Sequence, residues 1–186
     1  MNKCDERVNN VENWSTVGKK IKILEDCPRK PAGQQAFERF PQNIPEVKNL
    51  RHVESMVRLA RSDHSLLPLT SLLRAAPSLY EFKMKFPVAK ASSNGMKVIK
   101  EEQPLQCLKT VEILGFVGGA ADTELVLYLL ENAVELEKLI IDTCEPCFMG
   151  TSLESEHRGC DKCEAARQRA AELVARVPPG AELVVL

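Results

Sequence analysis

The chain has 186 residues, 44% of them apolar and 27% charged, which suits one ordinary domain or a few units of a repeat array and excludes a disordered tail. Its formal charge of −1 supplies no field to draw nucleic acid or an anionic membrane, and no apolar run reaches the roughly 18 residues that cross a bilayer. Met1 to Val11 is too polar for the apolar region of a signal peptide, and the seven cysteines are an odd count, so a cytoplasmic or nuclear chain with free thiols or metal ligands is expected rather than a disulfide framework.

Residues 1–40 read as an irregular N-terminal segment. Lys19, Lys20, Lys22, Arg29 and Lys30 are interrupted by Glu25 and Asp26, which suits a solvated stretch better than a nucleic-acid patch. Ile21 and Leu24 outline one degenerate unit of the repeat described below, and four prolines make Asp26 to Pro45 irregular. From Leu50 a short strand is expected, followed by a helix over Asp63 to Ala76 with Leu66, Leu69, Leu73 and Ala76 on one side. Pro68 sits near its start, where proline is tolerated, and Pro77 stops it. A second strand opens at Leu79. Residues 87–106, with Ser92-Ser93-Asn94-Gly95 and Pro104, show no period and are expected to form a loop in place of a helix.

A third strand opens at Leu108. Gly115 to Gly119 lacks the spacing and the lysine of a phosphate-binding loop and reads as a tight strand-to-helix turn. The next helix takes Asp122 as N-cap and carries Leu125, Tyr128, Leu129 and Ala133 as its stripe. A fourth strand opens at Leu136. A helix from Asp161 to Arg176 follows, with Ala166, Ala170, Leu173, Val174 and Val177 inward, and Ala181 to Leu186 forms the last strand.

Four segments share one template, an apolar residue with others at +3 and +5. They are Leu50-Arg51-His52-Val53-Glu54-Ser55, Leu79-Tyr80-Glu81-Phe82-Lys83-Met84, Leu108-Lys109-Thr110-Val111-Glu112-Ile113 and Leu136-Glu137-Lys138-Leu139-Ile140-Ile141. The leading residues at 50, 79, 108 and 136 are 29, 29 and 28 apart, the long end of the leucine-rich-repeat period. Side chains two apart on a strand share a side, so +3 and +5 face a core that each unit can close only by stacking on its neighbours. The fold expected is an α/β leucine-rich-repeat solenoid, a partial horseshoe over residues 41–186, with parallel strands and helices or loops on the return side. Positions +2, +4 and +6 face outward and carry His52, Glu54, Glu81, Lys83, Lys85, Thr110, Glu112 and Lys138, a mixed-sign strip ending in Leu114 and Ile140. These are the candidate partner-binding residues. Lys83 is expected between the carboxylates of Glu54 and Glu112.

Cys144-Glu145-Pro146-Cys147 and Cys160-Asp161-Lys162-Cys163 are two C-x-x-C knuckles twelve residues apart, a spacing that suits four thiolates around tetrahedral Zn²⁺. His157, inside the loop, is an alternative ligand. The other reading is that these four cysteines are incidental. Cys160 and Cys163 open a helix, which favours a reactive thiol, but no strand leads into the motif as a thioredoxin-type site requires. His52, His64 and His157 lie in no recognisable nucleophile motif, and no enzymatic activity is expected.

LKTVEILGFVGGAADTELVLYLLENAVELEKLIID at Leu108 to Asp142 resembles the C-terminal leucine-rich region of plant F-box/LRR proteins, including the FBD-type branch. LTSLLRAAPSLYEF at Leu69 to Phe82 and AARQRAAELVARVPPGAELVVL at Ala165 to Leu186 resemble the preceding unit and the closing helix and strand of that family. The resemblance implies a horseshoe that presents a binding surface, the substrate-recognition part of an SCF ubiquitin ligase. No segment matches an F-box, so an SCF adaptor is expected as a partner only of a longer isoform that carries one. The family's loop is not cysteine-paired, so the resemblance lends the zinc site no support. The expected function is thus a non-enzymatic protein-interaction module. The alternative is a small zinc-stabilised protein.

Overall fold

Apolar residues at +3 and +5, repeated about every 29 residues, produce strands that stack in chain order. In the computed structural model, which describes residues 21–25, 46–57, 68–86 and 104–186, six strands form one parallel sheet in the order β1 to β6. They are β1 (Ile21–Glu25), β2 (His52–Val57), β3 (Glu81–Lys85), β4 (Thr110–Leu114), β5 (Lys138–Asp142) and β6 (Glu182–Val185). The register places Val53, Phe82, Val111, Leu139 and Leu183 in one row and Ser55, Met84, Ile113, Ile141 and Val185 in the next. The first row is buried from Val53 to Leu139, and the second from Ser55 to Ile141. The distance of 29 residues to Leu50 would make Ile21 the leading residue of a preceding unit, but Ile21 of β1 lies opposite Val53, at the +3 position instead.

The repeat also shows in the backbone. The amides of Tyr80 and Glu81 both donate to the carbonyl of Arg51, those of Lys109 and Thr110 to that of Tyr80, and those of Glu137 and Lys138 to that of Lys109. One carbonyl per unit thus takes two amides, so neighbouring units are locked in register where each strand begins.

Among the described residues the return limbs carry α1 (Pro68–Ala75), α2 (Ala120–Asn132), α3 (Glu154–Arg158) and α4 (Asp161–Glu172), with a 3₁₀ turn at Leu173–Arg176, whereas residues 104–109 ahead of β4 carry no helix. Residues 63–67 of the first expected helix, the 87–103 part of the expected loop, and Cys4, Trp14, Cys27 and His64 lie outside the described residues. In α1, Leu72, Leu73 and Ala76 just beyond it enter the core. α2 buries Val126, Leu127 and Leu130 besides the expected stripe.

Three local expectations need correction. The N-cap of α2 is Gly119, not Asp122. Asp122 lies in the first turn, and its buried carboxylate reaches back to accept the amides of Val117 and Gly118 at 2.8 and 2.9 Å, and also that of Thr123. Those amides belong to the tight turn, where Gly115 and Gly118 take positive φ of 78° and 68°. A Cβ on Gly115 would lie 2.2 Å from the Phe86 carbonyl oxygen, so only glycine fits there. Second, the expected inward stripe of the last helix breaks at Val174, which is 63% exposed. The helix tightens to 3₁₀ at Leu173, and three residues per turn no longer hold positions 173 and 174 on one side. Third, Leu114 is buried rather than the apolar end of an exposed strip. The segment after β5 lies against this end of β4, since a Cβ on Gly115 would stand 3.0 Å from Pro146 Cδ.

Candidate functional site: the exposed sheet face and the cysteine loop

Alternation along each strand sends +2 and +4 away from the core, and β3 to β5 show it as half-buried residues between buried ones. All eight candidate residues, His52, Glu54, Glu81, Lys83, Lys85, Thr110, Glu112 and Lys138, are half-buried. The register aligns His52, Glu81, Thr110, Lys138 and Glu182 in one row and Glu54, Lys83, Glu112, Ile140 and Val184 in the next.

Polar and charged side chains on this face are paired across strands. His52 Nδ1 is 2.9 Å from Glu81 Oε2, Lys83 Nζ is 2.6 Å from Glu112, and Lys138 Nζ is 3.5 Å from Glu182. Lys85 reaches diagonally to Glu54 at 2.5 Å. Lys83 stands between Glu54 and Glu112 in the register, as expected; its ammonium takes Glu112, and Glu54 is met by Lys85. Such pairs, with side chains a quarter or less exposed at Glu54, Lys85 and Glu112, fix side-chain geometry more than they add stability. The result is a preorganised, mixed-sign surface that turns apolar at Ile140 and Val184.

The face is bounded at β5 by the loop that follows. Asp142 occupies the +6 position and is buried. Arg158 at the end of α3 grips it through two parallel bonds of 2.8 and 2.9 Å and also meets Glu154. Asp142, followed by Glu154, holds the guanidinium above its ordinary pKa. The same carboxylate accepts the Cys144 amide at 2.8 Å, which sets the start of the cysteine loop.

Within that loop the four cysteines do not converge. His157, Cys160 and Cys163 do: their ligand atoms all lie within 4.8 Å of one another. Cys163 Sγ is 3.5 Å from His157 Nδ1 and 3.4 Å from the Thr143 carbonyl oxygen, and the Cys163 amide donates to Cys160 Sγ at 3.4 Å. Cys144 is buried and turned to the Glu145 carbonyl at 3.7 Å, while exposed Cys147 faces the Glu145 carboxylate at 3.9 Å. The expected four-sulfur set is thus replaced by two sulfurs and an imidazole. Burial, and then the hydrogen bond with Cys160, push the Cys163 thiol up to about 11, whereas the Cys163 amide lowers Cys160. Burial likewise raises Cys144. Spacing alone gave the knuckles and the loop histidine. Arg158, Glu145 and Phe148, which position the loop, carry no motif and emerge only in three dimensions.

A parallel sheet built from one repeated strand template, with helical return limbs and an outward row of polar side chains, defines a leucine-rich-repeat domain. The family model described as the At1g61320/AtMIF1 LRR domain matches residues 38–178, and the chain belongs to that plant family. No curated protein and no solved structure matches the chain.

Proposed function

We propose that the chain is a non-enzymatic protein-interaction module whose partner docks on the exposed face of the sheet. The observation that carries this reading is the double row from His52 to Glu182 and from Glu54 to Val184, in register and held by cross-strand ion pairs. Leucine-rich-repeat domains generally bind proteins, and solenoids use their extended concave surfaces for it. A mixed-sign strip suits orientation of a partner and rejection of wrong ones, because like charges brought together across an interface are costly.

The likeness to plant F-box/LRR proteins extends the proposal: in a longer isoform with an F-box, this region would select substrate for an SCF ubiquitin ligase, in the cytoplasm or nucleus. The test is affinity capture from plant extract with the wild-type chain and Lys83→Glu side by side. Loss of the same identified proteins from the variant supports the face as the docking site. Equal recovery contradicts it. An SCF adaptor should appear only with the F-box-bearing isoform.

A further inference from the structure

We propose that the loop between β5 and α4 is a zinc site, with His157, Cys160 and Cys163 as three ligands and the Cys144–Cys147 knuckle as the source of the fourth. The site is independent of the partner face.

Bonds of about 2.3 Å to sulfur and 2.0–2.1 Å to nitrogen in a tetrahedron set an S···N edge of about 3.6 Å. Cys163 Sγ and His157 Nδ1 stand 3.5 Å apart. The whole triad fits within 4.8 Å, so closing on a common centre needs only rotamer-scale adjustment. Cys160 and Cys163 open α4, and the N-cap position of Cys160 is what turns both sulfurs to one side. Thr143 bears directly on Cys163 through its carbonyl oxygen, which brings the residue before Cys144 to the edge of the cluster.

The histidine is held as a ligand is held. Its ring stacks on Phe148 with centroids 4.2 Å apart. While Nδ1 faces the sulfur, Nε2 lies 3.9 Å from Glu145 Oε1, which is itself fixed by Lys162 at 2.7 Å. A carboxylate on the far nitrogen is the usual outer-shell support of a metal-bound imidazole, orienting it and raising its basicity. Two thiolates and an imidazole select a borderline-soft ion over magnesium or calcium, which require oxygen. The expected role is structural. The ion would tie α4 to the end of β5, next to the Arg158–Asp142 grip that bounds the partner face.

The test is zinc binding by the full chain, purified reduced, stripped with a chelator and titrated with Zn²⁺ alone. The expected result is one ion per chain, thiolate-to-metal absorption on Co²⁺ substitution, and a lower urea midpoint after stripping. His157→Ala and Cys160→Ala, both at half-buried positions, should weaken binding by more than about 100-fold, and Glu145→Gln by about 10- to 100-fold, as loss of outer-shell support does. Circular dichroism of each variant separates lost binding from lost fold. Either Cys144→Ser or Cys147→Ser should also weaken binding, and unchanged affinity in both would remove that knuckle from the site. No zinc uptake by the stripped chain, wild-type affinity in His157→Ala and Cys160→Ala, or a Cys160–Cys163 disulfide in freshly isolated protein would overturn the proposal.

Discussion

Arg158 reaches sixteen residues back along the chain to hold Asp142 through two parallel hydrogen bonds of 2.8 and 2.9 Å. A fork-to-fork pair of this kind is directional as well as strong. Asp142 ends β5 and is almost wholly buried, so this contact decides where the sheet face stops and the cysteine loop begins.

Replacing Arg158 by Met keeps much of the apolar stem but leaves the buried Asp142 carboxylate with the Cys144 amide alone of these partners. Arg158 itself is 30% exposed, so water offsets part of the loss. The expected cost is about 1–3 kcal/mol, that of a buried acceptor left short of partners. Urea titration measures it, and adding Asp142→Asn to Arg158→Met should recover part of it.

Phe82 is fully buried in the +3 row, and Phe82→Ala should cost about 3–5 kcal/mol. Tyr80, two positions earlier and 43% exposed, is the control. Tyr80→Ala should change stability by no more than about 0.5 kcal/mol.

Ser55 falls in the +5 row, where Met84, Ile113 and Ile141 follow it. Its hydroxyl is buried and, among the described residues, has no hydrogen-bond partner. Ser55→Ala removes a desolvated polar group and should raise stability by about 1 kcal/mol, seen as a higher urea midpoint.

Asp122 gives a pH dependence. Burial raises its pKa above the ordinary aspartate value, with the amides of Val117, Thr123 and Gly118 acting in the opposite direction. The folded chain therefore binds this proton more tightly than the unfolded chain. Its contribution is full below the unfolded pKa and declines as pH rises through the raised folded value. The difference in unfolding free energy between wild type and Asp122→Asn should fall across that window and be flat above it. A difference that grows with pH would contradict the assignment.

The strands and their register were legible because leucines at 50, 79, 108 and 136 repeat a pattern that the sheet must stack. What the sequence obscured depends on conformation rather than composition. Gly119 has no side chain to announce a cap, and Asp122 does its work from inside the first turn. A 3₁₀ turn is invisible to a 3.6-residue period, which puts Val174 on the inward stripe. In the cysteine loop, spacing named the thiols, but rotamers decided which converge. Cys144 and Cys147 turn towards Glu145, leaving His157 beside Cys160 and Cys163. On the sheet face, rows were predictable, while the diagonal Lys85–Glu54 contact was not.

The most direct measurement of the central claim places a photo-crosslinking residue at one position at a time and identifies adducts formed in plant extract by mass spectrometry. Thr110 and Glu112 report on the exposed sheet face, and Val174 on the return side. One set of partner proteins should crosslink from Thr110 and Glu112, be lost with Lys83→Glu, and not crosslink from Val174. The same partners crosslinking from Val174 and not from the sheet would contradict that claim.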